Sequence, residues 1–213
     1  MPNSHPLDDL QLATLVASKI CHDIIGPVGA IYNGIEILSE DDHDDSHAYA
    51  IDVIRSVAQQ TSARLQFARL AYGAGGTPDS CIDLDDVRRA LEGFFSDSKH
   101  TIQWSFGSGT INRWRGKLLL NVLACAATTL PRGGLLRIDR VERDPDNGFI
   151  VRCRGQNIRR PPHLDNYIAD GGNAAQPDAM SIQAYYAWRL ASACAMTLQV
   201  AEADGDVLIV AVA

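Results

Sequence analysis

Positive charge is in short supply in this chain. Nineteen Lys and Arg against 26 Asp and Glu leave the 213 residues at a formal net charge of −7, whereas a nucleic-acid partner requires a concentrated positive surface. A protein partner or a small ligand is therefore expected, and no nucleic acid. Long apolar runs are also missing. The longest nearly apolar stretch, Leu118 to Leu130, is too short to span a bilayer, and Met1-Pro2-Asn3-Ser4-His5-Pro6 has neither the basic nor the apolar part of a secretory signal. The expectation is a cytoplasmic protein with no membrane contact. The five cysteines are odd in number and form no C-x-x-C pair, so reduced, mostly buried thiols are expected rather than a disulfide framework or a zinc site. Trp104, Trp114 and Trp188 follow no regular spacing, which suits core or docking residues better than a cofactor box. What is present is ordinary. Hydrophobic residues at 46% and charged residues at 21% mark a folded, packed chain, long enough for one full domain and a smaller element.

Between Leu7 and Glu40 the apolar positions Leu10, Ala13, Ala17, Ile20, Ile24, Val28, Ile31, Ile35 and Leu38 recur in alternating steps of three and four. That is the seam of a long amphipathic helix. Ile51, Ile54, Ala58, Thr61, Leu65, Ala68 and Tyr72 repeat the pattern, and the acidic stretch Glu40 to Ser46 reads as the turn of a helical hairpin. Two helices cannot enclose a core. Pairing two hairpins about a two-fold axis would bury both stripes in a four-helix bundle, so a homodimer is expected.

Gly73-Ala74-Gly75-Gly76-Thr77-Pro78 has the composition of a linker and ends in a helix breaker, which predicts a domain boundary between 1–76 and 77–213. Beyond it, Asp83-Leu84-Asp85-Asp86-Val87 opens a helix with a cap and first-turn acids. Thr101 to Phe106 alternates like a strand, Arg113 to Leu130 reads as a buried helix, and Ser181 to Ala195 as another. Two hairpins are expected: Leu135–Val141 with Phe149–Arg154 about the turn Asp144 to Gly148, and Thr197–Ala203 with Val207–Ala213 about Asp204-Gly205. Helices on one face of a mixed sheet make an α/β sandwich, and the whole chain is α+β.

His22 falls midway between the seam residues Ile20 and Ile24, so at about 100° per residue it points away from the bundle core. Ser18, Gly26 and Gly29 share its face, small residues that let another protein approach the ring. Asp23 can orient one ring nitrogen and leave the other nucleophilic. Pro27 lacks the N–H that would bond the carbonyl of Asp23, which predicts a kink one turn past the histidine. The string His22-Asp23-Ile24-Ile25-Gly26-Pro27-Val28 resembles the H-box of histidine-kinase dimerisation domains, in which the histidine is phosphorylated. Gly26 stands where kinases that also dephosphorylate their partners carry a polar side chain, which speaks against such a phosphatase role.

The second half resembles the catalytic, Bergerat-type domain of the same kinases with its ATP chemistry removed. Lys117 to Ala126, followed by Pro131 to Ile138, is similar to the N-box helix and its strand, with Cys125 in place of the magnesium-binding asparagine; Mg²⁺ demands oxygen donors. Cys153-Arg154-Gly155-Gln156-Asn157-Ile158 fits D-x-G-x-G-I, except that Cys153 replaces the aspartate that accepts from adenine and Asn157 replaces a glycine. At Ala179 to Ala184, where the family has a second glycine-rich phosphate loop, no glycine remains.

A histidine hairpin joined to a nucleotide-free kinase-like domain is similar to the ChpT-type histidine phosphotransferases of alphaproteobacteria. The resemblance covers nearly the whole chain. It implies a dimer with His22 as phosphoacceptor, Asp23 as orienting group or general base, and Ser18, Lys19, Gly26, Pro27 and Gly29 on the partner-binding surface. The implied partners are the receiver domain of a hybrid kinase of the CckA type and receivers of the CtrA and CpdR type. No cofactor is implied in this chain, Mg²⁺ being supplied by the receiver. The competing readings are an ATP-dependent histidine kinase, which Cys125, Cys153 and the missing glycines oppose, and a noncatalytic binding protein in which His22 is incidental. His43 and His47, four apart among Asp42, Asp44 and Asp45, have metal-ligand spacing, but a solvated acidic turn accounts for them.

Overall fold

The structure is a computed structural model that describes residues 7–40, 44–73, 77, 79–142, 144–171 and 176–213. Helices α1 (Asp9–Glu40) and α2 (Asp44–Ala71) form the expected hairpin. Asp44 to Ser46, expected in the turn, are already helical, and acidic residues suit that end because the helix dipole favours negative charge there. Where the two helices cross, Gly34 is required by proximity, since a Cβ on it would lie 2.7 Å from Cγ1 of Ile54. Thr61 is buried and Ile20, Ile24, Ile31, Leu38 and Ile54 are half-buried, but part of the apolar surface is uncovered in the single chain. Val28, Tyr32, Ile35, Ile51 and Leu65 are all exposed. By length and composition α1 could also cross a membrane, which a search for consecutive apolar residues does not register; Lys19, His22, Asp23, Asn33 and Glu36 interrupt it.

The second unit opens with a two-stranded ribbon that the sequence pattern did not reveal, β1 (Cys81–Asp83) against β3 (Thr110–Asn112). Between and after these come α3 (Leu84–Phe95), β2 (His100–Ser105) and α4 (Arg113–Ala127), then β4 (Gly134–Val141), β5 (Asp144–Gly155), α5 (Pro162–Ala169), α6 (Ile182–Ala193), β6 (Thr197–Ala203) and β7 (Asp206–Val212). Caps define the starts of α3 and α4. Oδ1 of Asp83 accepts from the amide of Asp85 at 2.8 Å, and Oδ1 of Asn112 from those of Trp114 and Arg115 at 3.0 and 3.4 Å, satisfying donors that a helix start leaves free.

The five-stranded sheet runs β2-β4-β5-β7-β6, with β2 parallel to β4 and the other pairs antiparallel. Its register stacks one buried face. Leu136 pairs with Cys153 and Cys153 with Val207; Ile138 pairs with Val151 and Val151 with Ile209; Phe149 pairs with Ala211. All of these are buried, as the two-residue period of a one-sided sheet demands. The turn expected at Asp144 to Gly148 needs correction. Strand β5 begins at Asp144, which pairs with Val141, and the register then shifts so that Arg140 faces Phe149; the extra residues are absorbed in a bulge rather than in a longer turn. Asp204 and Gly205 form the tight turn as expected, with φ of 54° and 77°, the left-handed geometry that such hairpins use.

The hairpin is fastened to the second unit at both ends. At its start, the amide of Leu7 donates to the Tyr185 hydroxyl at 3.1 Å, and Nη1 of Arg189 donates to the Leu7 carbonyl at 3.3 Å. At its end, Nδ2 of Asn121 donates to the Ala71 carbonyl at 3.2 Å and Nζ of Lys117 to that of Gly73 at 2.7 Å. Between these points Phe67 of α2 stacks on Phe94 of α3 at 4.1 Å. One apolar core therefore runs from Phe67 and Ala71 through α3 and α4 to the sheet.

Candidate functional site

His22 stands on the outer face of α1 with 83% of its side chain exposed. Its Nδ1 lies 3.5 Å from Oδ1 of Asp23, at the outer limit of a hydrogen bond. The Asp23 carboxylate is held on its other side by Nζ of Lys19, 2.7 Å from Oδ1 and 2.6 Å from Oδ2. Lys19, expected on the partner surface, thus points along the helix to a residue four positions on, the spacing at which helical side chains meet. Ser18 is exposed beside it. Gly26 and Gly29 leave the approach to His22 open, for a Cβ built on either would meet nothing within 4 Å.

Pro27 sits inside α1, which continues unbroken from Asp9 to Glu40. The carbonyl of Asp23 consequently lacks its helical donor. Nη1 of Arg64, from α2, supplies one at 3.3 Å. Asp23, Arg64 and Phe67 also line a small cleft that Phe94 of α3 and Gln183 of α6 complete, so the second unit reaches the flank of the histidine site.

The positions that resemble a nucleotide site are filled by protein. Cys153 is fully buried, its Sγ 3.9 Å from the Ala126 carbonyl, and Cys125 is nearly so, whereas Cys21 and Cys81 are exposed and Cys194 is half-buried, so the cysteines are not mostly buried as expected. Burial pushes the Cys125 thiol up to about 12 and the Cys153 thiol up to about 11, since a thiolate is poorly solvated there. Asn157 takes φ 54°, the left-handed region that glycine favours and asparagine tolerates. Ahead of α6, Oδ1 of Asp178 accepts from the amides of Met180 and Ser181 at 3.0 and 2.8 Å and from the Ser181 hydroxyl at 2.7 Å. These bonds, with that of the Ser181 hydroxyl foremost, hold the Asp178 carboxyl below its usual range. A side-chain carboxylate already occupies amides of the kind that would otherwise cradle an anion.

The family model for the histidine phosphotransferase C-terminal domain matches residues 84–206. Protein phosphotransferase ChpT of Brucella abortus (strain 2308) is 36% identical over 202 residues, 95% of each chain. The chain belongs to the histidine phosphotransferase family. A solved bacterial phosphotransferase superposes on this family member with a TM-score of 0.87 at 34% identity, covering 98% of this chain and 99% of the other.

In this histidine phosphotransferase the structure brings His22, Asp23 and Lys19 together and leaves Ser18, Gly26 and Gly29 as an open surface around the ring. An imidazole whose Nδ1–H faces a carboxylate presents the lone pair of Nε2 outward, the arrangement of an exposed nucleophile. Sequence reasoning missed Arg64. The signal was available, since a proline inside a helix orphans a known carbonyl and a basic residue on the facing helix is the natural donor. It also missed Asp178, whose Asp-x-x-Ser spacing ahead of α6 is a capping pattern. Of the acidic-turn histidines, His43 lies outside the described residues, and among the described residues no group of three His, Cys, Asp or Glu side chains is placed to hold a metal.

Proposed function

We propose that this chain is a dimeric phosphorelay carrier. The Nε2 lone pair of His22 attacks the phosphorus of an aspartyl phosphate on the receiver domain of a hybrid kinase of the CckA type. A P–N bond forms as the P–O bond breaks, and the receiver's carboxylate leaves. Asp23 holds the Nδ1 proton and stabilises the positive charge that develops on the ring. The reverse step delivers the phosphoryl group to the aspartate of receivers of the CtrA and CpdR type. Mg²⁺ in this scheme is part of the receiver and offsets charge on the transferring group.

Residues 1–76 serve as the phosphotransfer and dimerisation hairpin and residues 77–213 as a docking wall without nucleotide, in a cytoplasmic protein. The reading is carried by an 83% exposed histidine paired with Asp23 in a member of this family. Buried Cys125 and Cys153 and the self-capped Asp178 turn support the absence of ATP chemistry. The homodimer is supported by exposed Val28, Ile35, Ile51 and Leu65 and by an apolar groove of about 570 Å³ between α1 and α2, lined by Leu12, Val16, Leu65 and Tyr72 among others. The decisive experiment is incubation with a phosphorylated receiver. The protein should acquire an acid-labile, base-stable label, and His22→Ala should acquire none; labelling of that variant would refute the assignment.

A further inference from the structure

Among the described contacts Asp23 is the charged group that reaches the His22 ring, 3.5 Å from Nδ1, so how the imidazole is oriented depends on the placement of Asp23. Its side chain is fixed by Lys19. Its backbone is a different matter, because Pro27 removes the amide that would anchor the Asp23 carbonyl within α1. A carbonyl freed in this way leaves its turn of helix softer, and that turn begins at Asp23, the neighbour of His22. The replacement donor is Arg64, 41 positions away on α2. Arg64 is exposed and has no carboxylate partner among the described ion pairs, so its placement is not explained by charge pairing on the surface.

We infer that Arg64 is a positioning residue for phosphotransfer: its bond to the Asp23 carbonyl replaces the helix bond that Pro27 removes and holds the Asp23–His22 pair in the geometry that exposes Nε2. This rests on the reading of His22 as phosphoacceptor. Proline opens the helix one turn beyond the histidine, and an arginine from the second helix closes it again. The pair His22–Asp23 is thereby tied to α2, and through Phe67 and Phe94 to the second unit.

The test is a double-mutant cycle in the 213-residue chain, with transfer from a phosphorylated receiver as one readout and the imidazole ¹⁵N shifts of His22 in the free protein as the other. Arg64→Met should lower the single-turnover rate about tenfold while changing KM less than about twofold. Arg64→Lys, which keeps a donor, should recover part of the rate. In the Pro27→Ala background the Asp23 carbonyl regains an amide donor, so the same Arg64→Met change should cost less than about twofold, a coupling that contacting residues show and independent ones do not. The ¹⁵N spectrum, recorded at a pH where the ring is neutral, should show the Nδ1–H form losing ground in Arg64→Met. An equal rate loss in both backgrounds, a rise in KM alone, or an unchanged tautomer ratio would each overturn the inference. If Pro27→Ala itself transfers too slowly to measure, the tautomer ratio in the four proteins decides the matter. Failure of the phosphoacceptor reading is distinct, because then the parent protein takes no label on His22.

Discussion

Replacing Cys153 by aspartate restores the side chain that the resemblance to an ATP-binding domain calls for, and the structure predicts that it will not restore the site. Cys153 is fully buried on β5, paired in register with Leu136 and Val207, with its sulfur toward the Ala126 carbonyl. A carboxylate placed there loses water and meets a carbonyl oxygen and the nearby charge of Asp206, which already acts to raise the Cys153 thiol. An unpaired buried charge costs about 3–5 kcal/mol, and for a chain of this length about 2–4 °C of melting temperature goes with each kcal/mol. Cys153→Asp should therefore melt roughly 6–20 °C below the parent at pH 7.5. The sign of the pH dependence follows from the same cause. Burial raises the folded-state pKa of the new carboxyl above its unfolded value, so the charge penalty is absent below about pH 4 and grows as pH rises. Differential scanning calorimetry at pH 4 and pH 7.5 should show the gap between variant and parent widening with pH, and titration calorimetry with Mg²⁺ and ATP should show no binding by either protein. A variant as stable as the parent at pH 7.5 that binds ATP would mean that the nucleotide site is open and the infilling argument wrong.

Asp23→Asn should keep the fold and slow transfer about 10²–10⁴-fold if the carboxylate acts on the Nδ1 proton; an unchanged single-turnover rate removes Asp23 from the mechanism. Leu65→Asp places a charge in the apolar stripe of α2, at a position about half exposed in the single chain, and should convert a dimer to a monomer by light scattering at micromolar concentration. Met180→Asp alters a side chain that is 81% exposed three residues before Gln183, so it should leave the melting temperature unchanged. If the second unit forms a wall for the receiver, the variant should raise the KM for transfer about threefold or more, and an unchanged KM argues against that wall.

What could be read in the sequence was local. The seams of α1 and α2 and the outward direction of His22 follow from helical spacing, and the Asp204-Gly205 turn from residue chemistry. The β5 bulge was misread because Asp144-Pro145-Asp146-Asn147-Gly148 has turn composition, whereas the strand pairing of Asp144 with Val141 depends on a partner strand. Helix α5 escaped notice although it has Pro at its first turn, a start signal that is weak without apolar periodicity over eight residues. The ribbon of β1 and β3, three residues each, is too short for alternation to register. Arg64 belongs to a third kind, a contact between residues 41 apart that becomes visible only when a defect in one helix is taken as a demand on its neighbour.

The helix that resembles an N-box, α4, bonds the end of the hairpin through buried polar side chains. Its Asn121 is wholly buried, with Nδ2 shared between the Ala71 and Lys117 carbonyls, while Oδ1 has no partner among the described residues. A buried acceptor without a partner costs about 1–3 kcal/mol, so packing alone would favour an apolar side chain at this position. The amide is explained by what it holds, since the last carbonyls of α2 have no donors within their own helix. Lys117 does the same for Gly73, although desolvation, and after it the charge of Arg113, lowers its pKa. Two polar side chains on a buried helix face are thus directed at the end of the hairpin, and Tyr185 and Arg189 hold its beginning. A nucleotide-binding helix must face a cavity; a helix that bonds the hairpin instead fixes the second unit at one angle to it. With Gln183 lining the same cleft as Asp23, a fixed angle keeps that unit at the flank of His22.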